Sequence, residues 1–324
     1  MVPYIDMHCD TLMLFADPRS RKNLRSNDGA VDFTRLRQGG AMAQFFAVFL
    51  PQPDYFAREG LPLPTDEQYI ERLRAGLEEQ LRQHADLAAP ARCAADIERN
   101  AADGKVSAVL TMEDGRAVDG RLDNLDRFYA MGFRAVALLW NHENCLGYPN
   151  SCNAALMRKG LKDFGFAAVE RMNRLGMLID VSHLSAGGFF DVARTSRAPF
   201  IASHSNAAAL CGHPRNLTDE QLRVLGDKGG VAGVNVVPNF LRSNSMDARI
   251  SDMVLHIRHI VQTGGLDCCA IGTDFDGTGG NLEIGSADQM PRLFEALRGE
   301  GFSEDAIEKI AWRNAMRVFR EVVG

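Results

Sequence analysis

The stretch Ile5-Asp6-Met7-His8-Cys9-Asp10-Thr11-Leu12 decides how this chain is read. In a strand, side chains two apart share a face. His8 and Asp10 are therefore predicted to point one way, with Met7 and Cys9 on the other side. A neutral imidazole beside a carboxylate is half of a divalent-metal site. Taken alone, such a pair reads as a salt-bridged histidine near a surface turn. It gains meaning only if other strands bring matching ligands to the same place.

Outward from this stretch, short apolar runs alternate with amphipathic segments along nearly the whole chain. A polar loop, roughly Asp17 to Asp32, follows the first strand. Further strands are predicted at Ala43–Leu50, Ser107–Met112, Ala135–Trp140, Gly176–Val181, Phe200–Ser203, Gly230–Val237 and Cys268–Thr273. The clearest helix is Thr65–His84, with Thr65 as N-cap, Asp66 and Glu67 in its first turn, and Tyr69, Leu73, Leu77 and Leu81 on one face. Helices are also expected at Ala91–Ala102, Leu122–Met131, Leu161–Leu175, Phe189–Arg194, Asp252–Gln262, Asp288–Leu297 and Ser303–Val323, and one starts near Thr218 or Asp219. Alternating elements imply a parallel sheet with right-handed crossovers. Eight strands favour a closed (β/α)8 TIM-type barrel over an open doubly wound sheet. No G-x-G-x-x-G follows the first strand and no P-loop pattern occurs, so the nucleotide uses of an open sheet find no support. No break in composition marks a boundary, and residues 1–324 are expected to form one domain.

Composition excludes other classes. A net charge of −6 and the lack of a basic cluster argue against a nucleic-acid partner. The positive run Arg19–Arg25 is flanked by Asp17 and Asp28 and reads as a solvated loop. Seven cysteines without a C-x-x-C pair read as reduced, partly buried thiols, with the adjacent Cys268 and Cys269 in the core. No basic segment followed by an apolar one opens the chain, and no apolar stretch is long enough to span a bilayer, so a cytoplasmic protein without a membrane partner is expected.

In a barrel of this kind the functional groups lie at the C-terminal ends of the strands. Strand one ends in His8 and Asp10, strand three in Glu113, strand five in His183, strand six in His204 and strand eight in Asp274. Any one of them alone is an ordinary cap, turn residue or core histidine. Five strands sending such groups to one rim is hard to explain by packing, because each uncompensated buried ion costs on the order of several kcal/mol. Three histidines and two carboxylates also exceed the three protein ligands of a single catalytic zinc. They suit two ions with Glu113 as the bridge, acidifying a shared water and polarising a carbonyl. Asp274 is placed to take the water's proton and pass it to a leaving amine.

His8-Cys9-Asp10, Glu113-Asp114-Gly115, Ile179-Asp180-Val181-Ser182-His183, Ser203-His204-Ser205, Arg215-Asn216 and Gly272-Thr273-Asp274-Phe275-Asp276-Gly277 together resemble the renal (membrane) dipeptidase family. The resemblance runs from the first strand to the last. It implies an amidohydrolase-type barrel with two Zn2+ per chain that hydrolyses small dipeptides and tolerates a D residue at the C-terminal position. It implies that His8 and Asp10 hold one ion, His183 and His204 the other, and Glu113 both. Arg215 would bind the terminal carboxylate of the substrate, for which its planar fork is suited. Asp276 reads as a turn residue, and a homodimer is common in the family.

Two positions depart from better-known members. A histidine expected just after strand four falls on Trp140, with His142 two residues on. His142 is expected to substitute after a small shift, or Trp140 to wall the pocket. Phe240 stands where some members have a tyrosine. Among the other histidines, His84 reads as surface, His213 as a possible neighbour of the substrate, and His256 and His259 as solvated or packed on the barrel exterior. Deaminases, lactonases and phosphotriesterases form the competing class, but they usually begin with H-x-H and often bridge their metals with a strand-four lysine. Here the first strand has H-x-D, and Ala135–His142 holds no lysine. A non-catalytic metal-binding barrel would show an eroded ligand set or a lost acid–base residue, and both are present.

Overall fold

Eight strands close a parallel barrel: β1 Tyr4–Cys9, β2 Ala41–Phe49, β3 Val106–Glu113, β4 Ala135–Ala137, β5 Leu178–Asp180, β6 Ile201–Ala202, β7 Val231–Val234 and β8 Cys269–Ile271. The structure is a computed structural model that describes residues 1–324. Each strand pairs in parallel with the next, and Asp6 opposite Ile271 joins β8 back to β1. Most strands are shorter than the apolar runs suggested. The runs continue into turns that stay buried without pairing, so hydrophobicity alone overextends them.

One pairing lies outside the eight predicted runs. Ala88–Pro90 is extended and pairs with Val106–Ala108, outside the eight-membered ring. It displaces the start of the following helix from the expected Ala91 to Ala94. Three residues, one of them a proline, carry almost no periodic signal.

Side chains from all eight strands meet inside the barrel. Ile5, Met7, Ala43, Phe45, Val109, Ala135, Leu178, Ile201, Val231 and Ala270 form a buried cluster with Ala315, Met316, Val318 and Phe319 of the last helix. That helix plugs the N-terminal end of the barrel. It was expected as one run from Ser303. Instead, Glu304–Glu308 is followed by a π-helical turn, Lys309–Arg313, before Asn314–Val323. At the join, the Asn314 amide donates to the carbonyls of Leu266 and Cys269, 2.8 Å each, and pins the helix under β8.

Strict alternation in β1 put Met7 and Cys9 together. The structure separates them, with Met7 in the lumen and Cys9 in the outer core. The register against β2 shifts between Asp6 and Cys9, and such an irregularity breaks the period of two.

The helices form the outer layer. Asp66–Gln83 begins with a capping box between Thr65 and Gln68, which contributes about 1 kcal/mol. It buries Tyr69, Leu73, Leu77 and Leu81 against the barrel, and cutting the fully buried Leu73 to alanine would cost about 2–5 kcal/mol. Leu122–Met131 has the expected ends, and Gly132 (φ 106°) stops it. Cys268 and Cys269 are core, as composition suggested. His256 is buried rather than solvated, because its ring bridges the Ala207 N–H and the Leu241 carbonyl. No helix is long and apolar enough to cross a membrane.

Candidate metal centre

The C-terminal ends of four strands converge on five side chains drawn from between residues 8 and 204. His8, Asp10, Glu113, His183 and His204 are all buried. The two oxygens of Glu113 face opposite ways. Oε1 lies 2.9 Å from His183 Nε2 and 3.5 Å from His204 Nε2, and Oε2 lies 3.5 Å from His8 Nε2. His8 Nε2 is also 3.5 Å from Asp10 Oδ2 and 3.9 Å from Asp274 Oδ1. Two groups of three, Glu113–His183–His204 and His8–Asp10–Glu113, each have their ligand atoms within 4.8 Å of one another, and a third joins His8, His204 and Asp274.

Turns just past the strands aim these groups. His183 (φ 69°), Asp274 (φ 64°) and Asp276 (φ 65°) take the left-handed conformation that most side chains avoid. Asn150 holds the His183 carbonyl with its backbone N–H at 2.7 Å and its amide at 2.8 Å. Asp276 ties two loops, accepting from Thr11 Oγ1 and from the Ala30 N–H, 2.6 Å each, which is a turn-holding role. A Cβ on Gly277 would lie 2.1 Å from Asp10 Oδ2 and 2.4 Å from Asp274 Oδ1, so only glycine lets the chain pass this close to both carboxylates.

The donor set fits divalent cations. His8 Nε2 and Asp10 Oδ1 are buried without a hydrogen-bond partner. His183 Nε2 and His204 Nε2 face each other at 3.0 Å. Both rings are already held from behind, His183 Nδ1 by Asn141 Oδ1 at 3.1 Å and His204 Nδ1 by Ser203 Oγ at 2.8 Å. Two ring nitrogens and a carboxylate converging in a buried space repel one another unless an electrophile lies among them.

Without cations, the balance is met by protons. Burial disfavours the charged form of His8, yet Glu113 and Asp10 outweigh it and raise its pKa well above the usual imidazole value. Burial pushes Asp274 up to about 8, against the pull of His8 and with help from Asp10 and Glu113. Burial, reinforced by Arg215, lowers His183 to about 4, and burial with His8 lowers His204. Those two rings are neutral at physiological pH, as metal ligands must be.

Beside this cluster lies a lone buried cation. Arg215 is 5% exposed, and burial lowers its pKa. Its Nη1 reaches Ser205 Oγ at 3.3 Å and its Nη2 the His204 carbonyl at 3.0 Å, while its buried Nε has no partner. No carboxylate of the chain pairs with it. Phe240 lies under the guanidinium, 5.5 Å from ring centre to Cζ, and the His213 ring packs on Phe240 at 4.4 Å between ring centres.

The family model for "Membrane dipeptidase (Peptidase family M19)" matches residues 1–323. The chain belongs to the membrane dipeptidase family, peptidase family M19. It is similar to an uncharacterised protein encoded in the pqqA 5′ region of Klebsiella pneumoniae, 39% identical over 238 residues, covering 71% of this chain and 87% of that one. An uncharacterised dipeptidase of Schizosaccharomyces pombe is 30% identical over 298 residues, 90% of this chain and 71% of the relative. A metallopeptidase of Rhodobacter sphaeroides, solved with a phosphinate mimic of the dipeptide L-Ala-D-Ala, superposes with a TM-score of 0.89 at 30% identity, covering 99% of both chains. The protein is a metal-dependent dipeptidase with the barrel of that family.

Around the dipeptidase site, the remaining sequence-derived candidates are placed unequally. Trp140 packs on Phe49 (ring centres 4.8 Å) and lies 6.4 Å from the His183 ring, so it stands at the wall of the centre. His142 is exposed, 5.9 Å from Trp140, and touches none of the ligand candidates. Three groups that the sequence reading did not single out stand behind the ligands: Asn141 behind His183, and Asp180 and Ser203 behind His204. The I-D-V-S-H and S-H-S stretches contained two of them. Asn141 lies in a loop with no periodic signal at all.

Proposed function

We propose that this M19 enzyme hydrolyses dipeptides with two zinc ions, one held by His8 and Asp10, the other by His183 and His204, with Glu113 shared between them. The single observation that carries this reading is the two-sided Glu113, with one oxygen toward each ligand pair. When bound, the metals supply an acidified water and polarise the scissile carbonyl.

The side chains do the rest. Arg215 grips the terminal carboxylate of the dipeptide, which satisfies its bare Nε and removes the anomaly of a buried guanidinium without an anion. A grip on the carboxylate sets little demand on the hand of the residue that bears it, and a D residue is accepted there. The mimic bound by the Rhodobacter relative has that stereochemistry. Asp274, 13% exposed at the rim, takes the proton of the attacking water and returns it to the leaving nitrogen. Burial holds its carboxyl at about 8, so it stands close to neutral pH, where it can both take a proton and give it back. Trp140 walls the site next to His183 and keeps bulk water off the ligands. His142 reaches the substrate only if its exposed loop closes, so the wall role falls to Trp140.

We place the enzyme in a reducing, cytoplasmic setting, since all seven cysteines are unpaired and four of them are buried. The deciding experiment is a screen of L,L and L,D dipeptides against zinc-loaded protein, with elemental analysis of the same sample. About two zinc ions per chain and turnover of free dipeptides, lost when the C-terminal carboxylate is amidated, are expected. A folded sample that holds no metal, or that cleaves amidated and free dipeptides alike, overturns the reading.

A further inference from the structure

Behind His204, on the side away from the centre, lies a carboxylate that touches neither the ligand atoms nor the pocket. Asp180 ends β5 and is 4% exposed. Its Oδ1 accepts the backbone N–H groups of Ser182 and Ser203, 2.9 Å each, and its Oδ2 accepts the Ser203 hydroxyl. The same hydroxyl oxygen lies 2.8 Å from His204 Nδ1. Ser182 Oγ accepts the His204 backbone N–H at 3.1 Å and is 3.4 Å from Ser203 Oγ, farther than the carboxylate.

Proton counting then fixes the ring. A serine hydroxyl has one proton, and an ionised carboxylate can only accept. The Ser203 proton therefore goes to Asp180. Ser203 Oγ must meet His204 as an acceptor, so His204 Nδ1 carries the hydrogen. Nε2, the nitrogen that faces Glu113 and His183, is left with a bare lone pair.

We propose that Asp180 and Ser203 are positioning residues that set the tautomer of His204 through this hydrogen-bonded chain, and with it the ability of Nε2 to bind a divalent cation. The inference about affinity rests on the metal-centre reading above, whereas the tautomer itself can be read in protein without metal. Partners of this kind typically alter metal affinity by about 10–100-fold.

The chain of bonds has a direction, and one substitution reverses it. In Asp180→Asn the amide oxygen can still accept the two backbone N–H groups, but its NH2 now faces Ser203. Ser203 Oγ accepts from that amide and turns its own proton onto His204 Nδ1. The ring hydrogen moves to Nε2, which can no longer ligate. Ser203→Ala only cuts the chain and leaves both tautomers open. Ser203→Thr keeps the hydroxyl and the direction. A clamp that merely joins β5 to β6 would rank these variants by lost stability and leave the ring hydrogen where it was.

The test uses the full chain with 15N-labelled imidazoles. Long-range 1H–15N correlation of metal-free protein identifies the His204 signals by their loss in His204→Gln. Nδ1–H is expected in the wild type and in Ser203→Thr, Nε2–H in Asp180→Asn, and a mixture in Ser203→Ala. Zinc titration against a chromophoric chelator should then show a loss of about 10–100-fold at one site in Asp180→Asn, a smaller loss in Ser203→Ala and near wild-type binding in Ser203→Thr. An Nε2–H ring in the wild type, or an Asp180→Asn ring unchanged from it, overturns the proposal. If Asp180→Asn does not fold, the serine pair decides: Ser203→Ala must release the preference that Ser203→Thr retains, and equal behaviour overturns it. If the tautomers shift as stated but the wild type takes up no zinc, the positioning role stands and the metal-centre reading fails.

Discussion

Asp6 on β1 and Asp180 on β5 lie on opposite sides of the eight-stranded ring, and each makes the same three hydrogen bonds. Asp6 accepts the Thr273 N–H (2.8 Å), the Thr273 hydroxyl (2.6 Å) and the His8 N–H two residues along its own strand (3.3 Å). Asp180 accepts the Ser203 N–H, the Ser203 hydroxyl and the Ser182 N–H two residues on, in the turn after β5. In both cases the hydroxyl residue lies just past the end of a neighbouring strand and directly precedes a group of the site, Asp274 or His204. The two sides part at the hydroxyl. Thr273 Oγ1 next meets backbone, accepting the Phe275 N–H at 3.2 Å, whereas Ser203 Oγ next meets an imidazole. One device thus does two jobs. On the β1–β8 side it places a turn, and on the β5–β6 side it also places a proton.

The largest expected effect tests the residue carried by the β1–β8 turn. Asp274→Asn keeps the shape of the side chain but cannot shuttle a proton. Dipeptide turnover should fall about 10²–10⁴-fold with zinc content near the wild-type value. Full activity in that variant would remove Asp274 from the chemistry and leave the turn with a structural role only.

Next comes the cation near the β5–β6 side. Arg215→Lys keeps the charge but loses the planar fork and the Nε donor. KM for free dipeptides should rise about 10–100-fold, matching the roughly 1.5–3 kcal/mol of a charge-assisted hydrogen bond. Metal content should not change. An unaltered KM would mean that the carboxylate is gripped elsewhere.

These asymmetries were only partly legible in the sequence. The eight apolar runs and the helical stripe of Tyr69, Leu73, Leu77 and Leu81 repeat a pattern that burial imposes on every turn, so the barrel could be read directly. The candidates His8, Asp10, Glu113, His183, His204 and Asp274 could be read because each stands at or near a strand end, whereas Arg215, well past its strand, was carried only by the resemblance to the family. What a run of letters does not carry is backbone hand and cross-strand register. His183 and Asp274 sit in left-handed turns beyond strands that are shorter than their apolar runs. Met7 and Cys9 part company because of a register shift set by β2. Asp180 and Ser203 are 23 positions apart, and their bond exists only once β5 and β6 are neighbours.

The two sides should also differ in the protons they hold before metal arrives. His183 and His204 are neutral, so the β5–β6 side has none to give up. On the β1–β8 side His8 and Asp274 both have raised pKa values, Asp274 near 8. Cations favour the unprotonated forms, so loading at pH about 7 must release protons. Zinc affinity should therefore climb as pH rises toward 8 and fall below it. Calorimetric titrations in two buffers of different ionisation enthalpy measure the number released. Identical heats in both buffers would mean that the raised pKa values do not describe the metal-free centre.

The smallest expected effect sharpens the comparison most. Asp6→Asn makes on β1 the change that Asp180→Asn makes on β5. The new amide can donate to Thr273 Oγ1, and the displaced Thr273 proton has the His8 carbonyl within 3.5 Å to turn to. No ring stands behind this hydroxyl, so no tautomer can change. The cost is one rearranged buried hydrogen bond, about 1 kcal/mol, or a Tm lower by about 2 °C in a domain of this size. Zinc affinity and the His204 ring signals should match the wild type. If Asp6→Asn weakens zinc as much as Asp180→Asn does, loosening of either strand pair is enough to disturb the centre, and the distinction between holding a turn and holding a proton is lost.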